Sequence, residues 1–442
     1  MLMKKSAGTV AALALLLMAL QGCSGGASVP QTGPNGEAGR QEQAKPANEP
    51  VTLKFAVTKG WFGPGELDKY IIEPVKKKYP HITLEIIDTG AKDQSLDKVV
   101  AAGISPDLVM TANPLIHRLT TLDLQDDMEP LIRKFGFDLT KLNKAAVESV
   151  KSASGFDQLI GIPWTMHFHA LYYNKDLFDR FGVPYPKDGM TWDETVELAR
   201  KLTKTDGGVG YRGLEPDYSF RVASAKGLGM VDPKTEKALV NSDGWRRVYE
   251  LLKTVYTIPG NGEYKLGAAA ETQFMKDKTL AMLPGLNRLP LFKDAAGLNW
   301  DMVQYPQFPE SPNTSMGVDE WILHVTRQSK YKDQAFQVIA TVLSEEVQTD
   351  MARHARFPVL TGKSIEEQFG QAVPSLQGKN LKAAFLSQPA KAYPVSRYDE
   401  EAQKMMGGAS IAPIVKGEKD INTVLRENEE KLNRYIEQNK AR

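Results

Sequence analysis

The sequence predicts an α/β fold built as two lobes. Three observations carry this. Residues 51–442 are too many for one compact hydrophobic core and suit two. Residues 51–112 alternate strand, helix, strand, helix, strand, the pattern of a parallel sheet with crossover helices. No cysteine follows Cys23, so no disulfide framework can stand in for packing.

The elements follow in order. Lys4 and Lys5 precede an apolar run from Gly8 to Leu20, too short to span a bilayer as a stable helix. Together they read as a secretory signal over residues 1–22. Cys23 is the single cysteine, so it cannot form an intramolecular disulfide, and the polar stretch behind it cannot bury a thiol. "LQGC" resembles the lipobox of bacterial lipoproteins. That resemblance implies cleavage just before Cys23 and a diacylglycerol on its sulfur; two or more acyl chains hold a protein stably on a membrane. The mature chain is therefore expected to begin at Cys23 and to work outside the cytoplasm. Residues 24–50 are Gly, Pro, Ser, Gln, Glu, Asn and Ala with hardly an aliphatic side chain, and read as a flexible tether.

"VTLKFAV" (51–57) alternates as a strand. Leu67, Tyr70, Ile71 and Val75 have helical spacing, with Pro74 placed to kink or shorten the helix. "ITLEIID" (82–88) is a second strand, "LDKVVAAGISP" a helix ending near Gly103, and "DLVMTA" (107–112) a third strand. Ligands of such sheets bind beyond the carboxyl ends of the strands. That singles out Lys59–Phe62, Gly90–Gln94 and Asn113–Pro114. Met166–Tyr173 reads as one strand. Thr191 and Glu194 have capping-box spacing at the start of a helix. Ser242 opens another, with Trp245, Val248, Leu252 and Val255 on one face. "TLAMLPG", "NWDMVQYP" and "DEWILHV" (319–325) are strands. "DQAFQVIATVLSEEVQTDMAR" is amphipathic, and "INTVLRENEEKLNRYIEQ" predicts a surface helix near the end. There is no solenoid-length repeat. Lys and Arg total 55 against 54 Asp and Glu, with no basic stripe, which argues against a nucleic-acid partner.

"GIPWTMHFHALYYNKDLF…GVPYP…TWDETVELARKL", then "FMKDKTLAMLPG", "YPQFP", "SKYKDQAFQVIATVLSEEVQTDMAR" and "RFPV" (356–359) together resemble the bacterial extracellular solute-binding proteins, family 1. These are the maltose- and oligosaccharide-binding-protein-like substrate-binding lipoproteins of ABC transporters. Asp277 stands where that pattern usually has Gly. The resemblance covers essentially all of the chain after the tether. It implies a periplasmic-binding-protein-like fold of type II, with two α/β lobes joined by a hinge of about three crossings. Lobe 1 is then 51–165 and 320–360; lobe 2 is 166–319 and 361–442. It also implies a small-molecule ligand in the cleft, most often a sugar or oligosaccharide, and ABC permease subunits as partners. A monomer with no cofactor and no catalysis is expected. The lipid anchor fits the form these proteins take in Gram-positive bacteria. Two alternatives stay open: a ligand sensor presenting to a membrane kinase, and a lipid-anchored glycoside hydrolase, which would need two carboxylates across a cleft.

The candidate ligand-binding residues follow from place and chemistry. Trp61 and Phe62 lie in the first loop, outside any periodic segment, where rings stack on sugar faces or pack under loops. Asn113 opens the third loop. Trp164, His167 and His169 lie at the first crossing. The two His are two apart on the predicted strand and so share a face. A metal site needs three or four ligands, and no third His is placed to help. A neutral His167 bonding a ligand hydroxyl competes with a satisfied hinge histidine. Tyr218, Phe220 and Arg221 form the wall that the family often builds, though Arg221 could instead serve a surface ion pair. Asn287 and Arg288 follow the "AMLPG" strand. Asp319, Glu320 and Trp321 sit at the second crossing, where acids and an indole hold a polyol, or where Trp321 is simply core. Tyr393 and Tyr398 are weaker candidates.

Overall fold

The structure, a computed structural model, describes residues 49–262, 267–293 and 295–440. The predicted signal, the predicted acylation site at Cys23 and the predicted tether as far as residue 48 lie outside the described residues.

Two five-stranded sheets organise the chain. In the first, the order is Ile82–Asp88, Val51–Val57, Leu108–Ala112, Glu320–Val325, Ile162–Met166. The first three strands are parallel, and Glu320–Val325 enters antiparallel to both of its neighbours. In Val51–Val57 the buried positions Val51 and Leu53 give way to an unbroken Phe55-Ala56-Val57 run. That is the signature of a strand whose far end is covered on both faces. In the second sheet the order is Trp300–Gln304, His169–Asn174, Leu280–Leu286, Val209–Leu214, Lys204–Asp206.

Each sheet has its own core. One cluster runs from Val51 to Met166 and resumes from Trp321 to Val359. Two further clusters, spanning Leu171–Ile436 and Phe168–Ala384, pack on the second sheet. The protein thus has two α/β lobes, each assembled from separated stretches of chain.

Local chemistry sets the elements. Thr191 Oγ1 accepts from Glu194 N at 3.2 Å and Glu194 Oε2 accepts from Thr191 N at 2.7 Å, closing the capping box ahead of Trp192–Leu202. Ser242 caps Asp243–Tyr256, and Trp245, Val248, Leu252 and Val255 are all buried. The terminal helix Ile421–Asn439 seats Val424, Leu425, Leu432 and Ile436 on the second lobe and turns its charges outward. At Pro74, which has no N–H to give, the helix starts in a wider register. Glu73 N donates to Asp68 O, five residues back, and α-helix begins only at Glu73–Lys78. The amphipathic stretch before residue 354 is a pair, Lys332–Val342 and Glu345–Arg353, broken where Ser344 caps the second helix.

The predicted single strand 166–173 does not form. Ile162–Met166 belongs to the first sheet and His169–Asn174 to the second, so the run is cut at His167-Phe168, where the chain changes lobe. Periodicity cannot show this break, because both halves are fully buried. His167 and His169 accordingly do not line one strand face. At the junction three segments lie side by side. His167 N donates to Asp319 O at 2.8 Å, Met166 N donates to Phe357 O at 3.2 Å, and Thr165 Oγ1 donates to the same carbonyl at 2.6 Å.

Candidate functional site

The carboxyl ends of the first-sheet strands bring the aromatic residues together. Val51–Val57 leads into a short turn, Lys59–Trp61; Leu108–Ala112 leads directly into Asn113–Leu115. Trp321, second in its strand, pairs with Ala112 on one side and Thr165 on the other, which sets its ring beside both turns. Trp61 stacks on Trp321 with centroids 5.3 Å apart and planes at 27°. Phe62 and Trp164 approach the same indole at 5.5 and 6.1 Å, and the His167 ring meets it edge-on at 5.5 Å. The Arg356 guanidinium lies over it at 4.3 Å, a cation–π contact strengthened by desolvation.

Among the described residues, the cavities lined from both lobes include one of about 210 Å³ around His167, His169 and Phe357, and two that reach predicted loops. Of these two, one of about 160 Å³ is lined by Trp61, Glu66, Trp321 and Arg356 with His167 at the crossing, and by Asn287 and Lys293 from the second lobe. The other, of about 240 Å³, is lined by Asn113, Ser149 and Ala153 opposite Phe220, Arg221, Tyr393 and Asp399, with Asp319 at the crossing. The second predicted loop, Gly90–Gln94, lines neither.

Burial controls the electrostatics. It lowers the pKa of His167, with Asp319 pulling the other way, so this imidazole is neutral near pH 7. It raises Asp399 from 3.8 to about 7, against the Ser396 N–H that donates to Oδ2 at 2.9 Å. It also lowers Arg356, an effect that Glu66 and Tyr70 oppose. Glu320 is wholly buried, and its carboxyl is pushed well above the usual range by burial, with Ser149 and Asn113 acting against the shift. A neutral acid at that position keeps a charge out of the lobe core.

Nine of the predicted residues line the two cavities at the predicted loops: Trp61, Asn113, His167, Phe220, Arg221, Asn287, Asp319, Trp321 and Tyr393. Seven do not, and of those His169 and Tyr398 are buried. Trp164 is wholly buried behind Phe62 and Trp321, and Phe62 tilts against both rings, so the two support the wall instead of forming it. Tyr218 packs under the Arg221 guanidinium at 5.0 Å. Arg288 pairs with Glu271 through Nη1. Glu320 points into the lobe core. The ion-pair alternative for Arg221 is met within the lobe: Nη1 lies 3.5 Å from the buried Asp217 Oδ1.

Arg356, Glu66, Ser149, Lys293 and Asp399 were not singled out by sequence. Arg356 had one available signal: it immediately precedes Phe357-Pro358, just ahead of the expected third crossing.

The fold matches solved structures over nearly their whole length. An ABC substrate-binding protein of Listeria monocytogenes, solved in complex with cycloalternan, superposes with a TM-score of 0.70 at 20% identity, covering 87% of this chain and 98% of that one. A sugar transporter protein of Rhizobium etli in an open conformation gives 0.71 at 20%, covering 86% and 99%. The sugar-binding protein MalE of Xanthomonas citri gives 0.69 at 18%, covering 88% and 98%. At such identities the likeness is one of fold. The model of the bacterial extracellular solute-binding protein family matches residues 63–349, and the chain belongs to that family.

Proposed function

We propose that this chain is a lipid-anchored extracellular receptor that captures a sugar or oligosaccharide between its lobes and passes it to the permease subunits of an ABC importer. One observation carries the reading. Two independent α/β cores meet at three side-by-side crossings, and rings and hydrogen-bonding groups from both lobes line the space between them. Capture in such a gap needs complementary surface and a hinge, and no chemical step. Lobe 1 is 51–165 with 320–360 and lobe 2 is 166–319 with 361–442, so each crossing lies at a boundary.

Trp61 and Trp321 offer flat apolar area to sugar ring faces. Neutral His167, Asn113 and Asn287 serve hydroxyls as donor or acceptor, and Arg221 and Asp319 add charged partners from across the gap. The glycan seen with the Listeria protein supports this ligand class. Cys23 supplies the anchor, and the polar segment to residue 50 lets the lobes reach the permease as a monomer.

Thermal-shift screening of the purified protein against a panel of neutral and acidic oligosaccharides tests the reading. A ligand specific to the folded state raises the melting temperature, by about 2.7 kcal/mol of added stability at a hundredfold excess over Kd. A panel spanning wall and plant glycans that moves the melting temperature nowhere would overturn the carbohydrate assignment.

A further inference from the structure

The cavity beside Trp61 and Trp321 contains a cation whose donors are only partly used. The Arg356 side chain is 12% exposed and pairs with Glu66 through Nη1. Nε and Nη2 are buried and have no hydrogen-bond partner among the described residues. Those two nitrogens flank one edge of the planar guanidinium. They present two parallel N–H bonds at the spacing of the two oxygens of a carboxylate.

The rest of the cavity matches. Glu66 is its one carboxylate, and it is already engaged, because Oε2 also accepts from Gly63 N at 2.9 Å. Lys293, exposed, lines the same cavity from the second lobe. Among the Lys, Arg, Asp and Glu side chains of this cavity, Arg356 and Lys293 outnumber Glu66, so positive charge is in excess there. Two neighbouring hydroxyls could accept from the fork but would leave its charge uncompensated, whereas a carboxylate satisfies both N–H bonds and balances the charge. Leaving such desolvated donors unmatched is costly.

We propose that the ligand of this cleft carries a carboxylate: an acidic saccharide of the uronic-acid class, held edge-on by Arg356 with Lys293 at the rim. The inference rests on the saccharide reading above and narrows it.

Calorimetric titration of the purified protein at pH 7 tests it. Acidic oligosaccharides, with di- and trigalacturonate as the leading probes, are paired with their carboxyl-reduced neutral counterparts. The acidic member should bind at least about tenfold more tightly, since a hydrogen bond to a charged group outweighs one to a neutral group. Arg356→Gln should weaken the acidic ligand by about 10- to 100-fold and the neutral one by less than about threefold, on the same basis. Lys293→Gln alters only an exposed side chain; it should weaken the acidic ligand a few-fold and flatten its salt dependence. If Arg356→Gln does not fold, Lys293→Gln and the salt series decide. Equal or tighter binding of the neutral members overturns this inference and leaves the saccharide reading standing. Binding of neither class overturns both.

Discussion

Replacing Trp321 by Ala separates two roles that the sequence alone left as alternatives. The side chain is 7% exposed and belongs to the first-lobe core, yet it lines a cavity between the lobes. Its indole touches Trp61, Phe62, Trp164 and His167 at centroid distances of 5.3, 5.5, 6.1 and 5.5 Å, and Arg356 sits 4.3 Å over it. Truncating a buried Trp to Ala costs about 3–5 kcal/mol of stability. The aromatic contacts, at about 0.5–1.5 kcal/mol per pair beyond area, place this site toward the upper end of that range. The Arg356 cation–π contact adds about 1–2 kcal/mol in a desolvated setting. A change confined to binding would leave the ligand-free protein untouched. The structure instead implies that the larger effect falls on the ligand-free fold. Urea unfolding of the two proteins without ligand, followed by tryptophan fluorescence and circular dichroism, measures it. If Trp321→Ala keeps its ligand-free stability within about 0.5 kcal/mol of the parent, the value of an ordinary surface change, the core assignment is wrong. Trp61, half-buried at the turn, should cost less on the same assay.

Further outcomes follow from other contacts. Gly213→Ala should destabilise by about 1–3 kcal/mol or more, because its Cβ would sit 2.1 Å from the Ala199 carbonyl oxygen in the neighbouring helix, with only backbone to yield; a melting temperature unchanged from wild type would count against that packing. Thr191→Ala removes the capping box and should cost about 0.5–2 kcal/mol, read by denaturant midpoint. Asp399 is an acid whose folded pKa, about 7, lies above its ordinary 3.8. The native state therefore binds the extra proton between those values, and this contribution to stability, full below about pH 4, is lost as pH rises through 7. Asp399→Asn should remove that slope, so the wild-type minus variant stability difference falls from pH 4 to pH 8; a flat difference would exclude the shift. Cys23→Ser should abolish acyl labelling and leave the precursor unprocessed, and a variant with the wild-type size and label would show that the lipid is elsewhere.

What the sequence revealed and what it hid divide along physical lines. Strands, capped helices and the order of elements were legible because they depend on local spacing: Thr191 with Glu194, or Ser242 with the apolar face behind it. Two of the three cavity-lining loops expected were legible because parallel sheets bind at carboxyl ends, which is how Trp61 and Asn113 were found. The break at His167-Phe168 was not legible, because the residues on both sides are equally apolar and only the partner strands distinguish the lobes. Nor was the fate of Trp164 and Glu320, which stand one or two residues from cavity-lining neighbours yet point into the core. Arg356 was hidden for the opposite reason: its role depends on Glu66 and Trp321, which are far away in sequence and become neighbours only after folding.

The position of Glu320–Val325 has a consequence for how the chain is made. This strand fits between Leu108–Ala112 and Ile162–Met166, so until residue 325 has emerged the first sheet has two raw edges where that strand belongs. The second lobe waits longer still, since its core includes Ile436 near the end of the chain. The first lobe cannot close before Val359 has emerged and the second not before Ile436, and no single cut of the polypeptide yields a lobe that is whole. Long-range closures of this kind are slow. That delay suits a protein whose predicted leader would send it across a membrane unfolded, and it makes the two lobes partners in assembly before they are partners in binding.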